Sequence, residues 1–353
     1  MNSTLAQTAV FLGRPKPVLP DWLPAAADSL GVSALVFQRQ CMPDSREPLC
    51  RRLLERDREL RAITLLRTRE LARVVAALAQ DTIPCLPIKG AATGQILYSQ
   101  PHLRECRDTD LLVAPSAFEA ALIKLGQLGY RQLPASQGKE LGHAVDLVHT
   151  DPAGYIHHLD LHWRISSNPV LRETLDFDSL AQSARLGLPC RHHQFLLACM
   201  ALLDSRSDSP RLTTFYDLDR LLRTLDDADC RHIVDFCRQT RLFCLVNNAV
   251  AVTRELFPGP IPPLLQALPE DFQEPARAWL SDNPWLRLWA ELRYRPDRSA
   301  RLAFLREHLF PPTDYLAARF HTRSRWRLAL HSVGRLLDGG RKRLRPQRRA
   351  PWI

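Results

Sequence analysis

Apolar residues recur at helical spacing through the first part of the chain. Leu53, Leu54, Leu60, Ile63, Leu66, Leu71, Val74, Val75 and Leu78 are separated by arginines and glutamates, so residues 21–80 are predicted to be helical. The pattern changes at Pro84 and Pro87, which bracket a short apolar segment over 83–88 that predicts a strand entering Gly90. A helix over about 91–98 follows. Leu111 to Val113 continue a second strand that opens at Asp108 and Asp110. Ser116, with Glu119 three residues on, reads as a capping box opening a helix that stops at Gly129-Tyr130. Two more strands are predicted over 144–149 and 155–161, joined by the turn-forming Thr150-Asp151-Pro152-Ala153-Gly154. From Gln194 onward the apolar positions are again helical, broken by the prolines of 258–263 and by Pro311-Pro312. The class this predicts is α+β: a small mixed sheet with helices on it, set between helical flanks. The expected divisions are an N-terminal helical segment over 1–80, an α/β core over 81–185, a helical C-terminal domain over 186–318 and a basic tail over 319–353.

Composition refines this outline. The 353 residues are 45% hydrophobic and 24% charged, an ordinary globular balance. No apolar run is long enough to span a membrane, and residues 1–20 lack the basic and apolar segments of a signal peptide. Nine cysteines without a C-x-x-C fit a reducing, cytoplasmic setting better than a disulfide framework. Cys230, Cys237 and Cys244, seven residues apart, read as a buried stripe rather than a metal site. The net charge of +10 is concentrated from Arg319 onward, where eleven basic residues accompany one acid, while the preceding 318 residues carry 37 of each sign. This neutral body argues against a nucleic-acid polymerase. The tail reads as a solubilising terminus, or as a contact for RNA, an acidic partner or a membrane surface.

The candidate chemistry lies in the middle. Side chains at i and i+2 of a strand share a face, so Asp108 and Asp110 should stand side by side. Asp160, on a later predicted strand, would bring a third carboxylate if that strand is a neighbour. Such a cluster suits hard divalent cations and bound phosphates. Three other D-x-D pairs, Asp176/Asp178, Asp217/Asp219 and Asp227/Asp229, fall in loop or helical segments and read as solvated acids. Gly90 permits close backbone approach, and a helix beginning after it would offer amides to phosphate oxygens. Only five of the 48 basic residues are lysines, which sets Lys89 apart from the background. Arg104 reads first as a partner for an aspartate and second as a phosphate ligand.

The order Ile88-Lys89-Gly90-Ala91, Tyr98, Arg104-x-x-x-Asp108-x-Asp110-Leu-Leu-Val, Gly129-Tyr130 and Asp160-Leu-His-Trp163 resembles the uncharacterised bacterial nucleotidyltransferase family of the polymerase-beta-like superfamily. Gly31-Val32, Phe215-Tyr216-Asp217-Leu218 and the stretch from Phe310-Pro311-Pro312 to Leu316 extend the likeness more weakly. The resemblance implies a glycine turn before a strand with two metal-binding carboxylates, and a third carboxylate on an adjacent strand. By position Asp108, Asp110 and Asp160 take the catalytic and metal-binding roles, and Lys89, Gly90, Ala91 and Arg104 the nucleotide-binding ones. Two Mg²⁺ ions are implied, with an NTP as substrate and a small molecule, sugar, protein or RNA as acceptor. Ala91 stands where the superfamily usually has serine, and Arg107 where a small residue is expected.

Two other readings compete. His143, His149, His157, His158 and His162, with Asp146 and Asp160, could form the centre of a zinc or iron metallohydrolase. A non-catalytic helical scaffold with a degenerate core is the second. Tyr98, Trp163, Trp285 and Trp289 read as packing residues, and Asp217 as structural.

Overall fold

The computed structural model describes residues 3–13, 16, 18–42, 45–134, 142–204, 211–266, 268–271, 273–281, 283–310, 316, 317 and 324. Four helices come first: α1 (Ser3–Val10), α2 (Leu23–Leu30), α3 (Ser33–Gln40) and the 33-residue α4 (Pro48–Gln80). The Glu47 side chain accepts from the Cys50 amide and Pro48 occupies the first turn, which together start α4. Cys41 and Cys50 form a disulfide across this entry, with Cα atoms 5.6 Å apart. The other seven cysteines are free, so one pair and no disulfide framework is present.

The core follows as β1 (Cys85–Pro87), α5 (Lys89–Leu97), β2 (Thr109–Val113), α6 (Phe118–Gln127), β3 (Arg131–Gln132), β4 (Ala144–Thr150) and β5 (Ile156–His162). The strands form one sheet in the order β1-β2-β5-β4-β3, in which β2 and β5 are parallel and the other pairs antiparallel. This is the expected mixed sheet of an α+β fold. Two starts differ from expectation. A short 3₁₀ turn over Pro115–Ala117 takes up Ser116, so α6 opens at Phe118 without a side-chain cap. Helix α5 opens at Lys89 rather than after Gly90.

The C-terminal part contains α7 (Phe177–Gln182), α8 (Arg191–Asp204), α9 (Leu212–Leu222), α10 (Asp227–Thr240) and α11 (Phe243–Leu256). After the proline-rich break come α12 (Pro263–Gln266), α13 (Arg277–Leu280), α14 (Pro284–Arg293) and α15 (Arg298–Leu309). Cys230 and Cys237 on α10 and Cys244 on α11 are buried, as the seven-residue stripe implied. Trp285 and Trp289 are 51% and 54% exposed, less covered than core packing would make them. Pro311-Pro312 and the basic tail, Ser324 apart, lie outside the described residues. Among the described residues no helix is long and apolar enough to cross a membrane.

Two hydrophobic cores organise the molecule. One joins Leu53 and Leu60 of α4 to the N-terminal helices and to α8, α9, α10 and α11. The other packs Leu71, Val74 and Leu78 of the same helix against Leu111, Val113, Leu147, Leu159 and Leu161 of the sheet and Ala121 and Leu125 of α6. Strand alternation therefore assigns the faces. Leu111, Val113, Leu159 and Leu161 face α4 and α6. Asp110, Leu112, Asp160 and His162 take the opposite face, and Leu112 joins the core shared with the C-terminal helices. The polar positions of β2 and β5 are thus turned toward the helical half.

Candidate active site

Asp110 and Asp160 are direct register partners on parallel β2 and β5, and Asp146 on β4 is the partner of Asp160 on its other side. Three carboxylates therefore run across one face of the sheet, with Asp108 just before β2. Asp110 is buried; its Oδ1 lies 2.8 Å from Lys89 Nζ and 2.9 Å from His162 Nε2. His162, two residues beyond Asp160 on the same face, joins Asp110 and Asp160 as a group whose ligand atoms lie within 4.8 Å of one another.

The charges are unevenly balanced. Burial works against a charged Asp110, but Lys89 and His162 outweigh it and hold its carboxyl well below the usual range. Burial, then Asp110, Asp108 and Asp146, push Asp160 up to about 7. Asp108 is raised as well, by burial and then by Asp110. For Lys89, burial disfavours the ammonium, yet Asp110 with Asp160 and Asp108 raises its pKa above that of an ordinary lysine. His162 is lowered by burial and by Lys89, which favours a neutral ring donating from Nε2 to Asp110. Lys89 has φ 49°, a left-handed backbone rare for a side-chain-bearing residue. It is the first residue of α5.

A cleft of about 690 Å³ opens beside these groups, between the sheet and the C-terminal helices. Lys89, Asp108 and His143 line its core side; Asp204, Arg287 and Glu291 line the helical side. Burial pushes Asp204 up to about 6, although Ser166 donates to it at 2.7 Å. His143 is held neutral, down to about 3, by burial and by His162 and Lys89, and its buried Nδ1 has no hydrogen-bond partner among the described residues.

The remaining sequence-derived candidates lie on the other side of Asp108. Gly90, Ala91 and Arg104 line a small crevice of about 50 Å³ with Arg67 and Asp108. This space is far below the several hundred Å³ of a typical ligand site. Arg104 Nε and Nη2 donate to Asp217 Oδ2 at 3.1 and 2.9 Å, and Tyr98 donates to Asp217 Oδ1 at 2.5 Å. A Cβ on Gly90 would meet Arg104 Nη1 and would lie 2.7 Å from Cys106 Sγ. Close approach explains the glycine, but the approaching groups belong to the chain itself. Asp217 and Asp219 are not solvated acids: both are buried, and Asp219 pairs with Arg223 and Arg254. Arg107 is exposed and lines a separate cavity, away from the carboxylates.

Sequence reasoning missed two contributors. Arg67 of α4 donates to the carbonyls of Cys106 and Arg107 and so holds the segment entering β2; no local motif marks it. His162 was visible at i+2 from Asp160 but was grouped with the other histidines. Those histidines do not converge. His143 lies near His162, with ring centroids 5.2 Å apart, whereas His149 stacks on His157 at 6.2 Å and His157 pairs with Asp151. Trp163 packs edge-on against Phe118 at 4.9 Å, as a packing residue should.

The site suits hard cations. Asp110 and Asp160 offer neighbouring oxygens, and the raised Asp160 marks negative charge that the chain leaves unbalanced and a divalent ion would relieve. No curated protein matches the chain. The family model of uncharacterised nucleotidyltransferases matches residues 16–258, more than half of the sequence, and the chain belongs to that family.

Proposed function

We propose that the protein is a Mg²⁺-dependent nucleotidyltransferase that moves a nucleoside monophosphate from an NTP to an acceptor. Family membership supports nucleotidyl transfer in general. The observation that carries the finer reading is the in-register pairing of Asp110 with Asp160 beside Lys89 and a cleft of about 690 Å³. Asp108, Asp110 and Asp160 would hold the cations. Bound Mg²⁺ would supply neutralisation of the charge that develops on the entering and leaving oxygens at the α-phosphorus.

The chain's own groups do the rest. Lys89, held beside Asp110, would hold a phosphate oxygen as a compact charge. His162 donates to Asp110 and holds that carboxylate in place. Asp160 takes the acceptor's proton as its oxygen attacks. Arg104 and Gly90 act from behind: their packing onto Asp217 and Cys106 sets the position of α5. The acceptor enters the cleft, where Asp204, Arg287 and Glu291 present both charges.

Calorimetric titration of NTPs with and without Mg²⁺ tests this reading, using the wild type and an Asp110→Asn/Asp160→Asn variant. Metal-dependent binding lost in the variant supports it. Wild-type protein that binds no NTP, or a variant that binds as well, overturns the site and leaves the scaffold reading. The metallohydrolase reading is weakened by the separation of His149 and His157 from His162.

A further inference from the structure

A second cluster of metal-ligating side chains lies outside the carboxylate site, at the start of α8. Cys190 immediately precedes that helix, and His192 and His193 occupy its first turn. The Cys190 Sγ is 3.2 Å from His192 Nε2 and 3.2 Å from His193 Nδ1. Ligand atoms of all three residues lie within 4.8 Å of one another. With Zn–S of about 2.3 Å and Zn–N of about 2.0–2.1 Å, a tetrahedral ion places its ligand atoms ~3.3–3.6 Å apart. The two sulfur–nitrogen distances already lie within a few tenths of an ångström of that spacing.

A second observation concerns what stands behind the ligands. His192 Nδ1 is 3.1 Å from Asp229 Oδ1 on α10. A carboxylate on one ring nitrogen fixes the tautomer and leaves the other nitrogen as the metal donor, an arrangement that recurs around protein-bound zinc. His232, one turn further along α10, stacks on the His192 ring at 4.6 Å and supports its orientation. Ser183 Oγ is 2.9 Å from His193 Nδ1 and 3.4 Å from Cys190 Sγ, close enough to donate to a thiolate once the imidazole turns to a metal. Cys190, His192, Asp229 and His232 line a cavity of about 690 Å³ that shares no lining residue with the cleft beside Lys89.

We propose that Cys190, His192 and His193 bind one Zn²⁺ ion, with Asp229 orienting His192 and a water from the cavity as fourth ligand. One thiolate and two neutral imidazoles are the soft and borderline donors that favour zinc over Mg²⁺. Binding releases the thiol proton and leaves the centre with a charge of +1, beside the carboxylates of Asp226 and Asp229. The ion clamps the entrance of α8 and, through His192 and Asp229, ties it to α10. This site is independent of the nucleotidyl-transfer reading and stands or falls without it.

The test is cobalt titration of the full-length, metal-stripped protein, read by absorption. The expected result is a thiolate-to-cobalt charge-transfer band that saturates at one ion per chain and is bleached by zinc. Cys190→Ser should abolish the band. Asp229→Asn, which keeps all three ligands, should retain the band and weaken affinity 10–100-fold. Asp110→Asn/Asp160→Asn should leave band and affinity unchanged, which separates this centre from the carboxylate site. A thiolate band that survives Cys190→Ser, or no such band in the wild type, overturns the proposal. If Cys190→Ser does not fold, protection of Cys190 from alkylation by one equivalent of zinc decides instead, and an unprotected thiol overturns it.

Discussion

Arg104 of the core and Asp217 of α9 are joined through two nitrogens on one carboxylate oxygen, across 113 residues of chain. The Asp217 side chain is buried and that of Arg104 largely so, and Tyr98 completes the set from the end of α5. Removing one partner would leave a charge without a counter-ion in a dry place. Asp217→Asn is therefore expected to cost about 3–5 kcal/mol of unfolding free energy, whereas Arg104→Met/Asp217→Leu should recover most of it. Urea titration of the two variants checks the order, and equal losses would refute the ion-pair account.

Gly90→Ala tests the crowding directly. Its new methyl group would meet Arg104 and Cys106, so a loss of about 1–3 kcal/mol is expected. At Gly94 the nearest atom to an added Cβ is the Pro101 carbonyl oxygen at 3.3 Å, and Gly94→Ala should cost less. Thermal melts of both variants give the comparison.

Asp160 supplies a test by sign. Its folded-state pKa of about 7 lies above the ordinary aspartate value, so the folded protein holds this proton more tightly than the unfolded chain does. The resulting penalty grows from about pH 4 to pH 7 and is complete above that. Asp160→Asn should then raise stability at pH 8 by about 1–3 kcal/mol in a chelating buffer, and should lose any stabilisation by Mg²⁺. A variant that is less stable than wild type without metal would contradict this.

Glu105 provides a second pH signature, away from the carboxylate row. Burial pushes it up to about 7, although the Ser33 amide donates to it at 2.6 Å and Arg56 stands 3.6 Å away. Its protonated form is favoured by folding, so its contribution is present below about pH 4.5 and is lost as pH rises to 7. Glu105→Gln should remove that slope, with a gain on the order of 1–3 kcal/mol at pH 8. Melting temperatures across pH 4.5–8 for the two proteins would reveal it.

What could be read in advance follows from the range of each signal. That Asp110 and Asp160 could face one another was legible because strand alternation is a period-two pattern written over a few residues, whereas Asp108, expected on the same strand, falls just before β2. The hairpin before Asp160 was legible because its turn residues are local. Asp217 was read as structural and Arg104 as an aspartate's partner, but that each serves the other was not legible, because 113 residues of sequence separate them. Gly90 was recognised as a place of close approach, but the approaching atoms come from Arg104 and Cys106 and depend on tertiary packing. Asp229 looked solvated on its own; its meaning depends on His192, which sits 37 residues earlier on another helix. The start of α6 was misplaced because Pro115 favours a 3₁₀ turn that consumes the expected cap.

Helix α4 puts residues into both hydrophobic cores, near its start at Leu53 and Leu60 and near its end at Leu71, Val74 and Leu78. At about 1.5 Å per residue it is a rod of roughly 50 Å. A rod anchored at both ends transmits the loss of either anchorage to the other, so the sheet and the helical half are expected to melt together. Loss of packing among the N-terminal helices should then reach the sheet that carries Asp110 along that same rod.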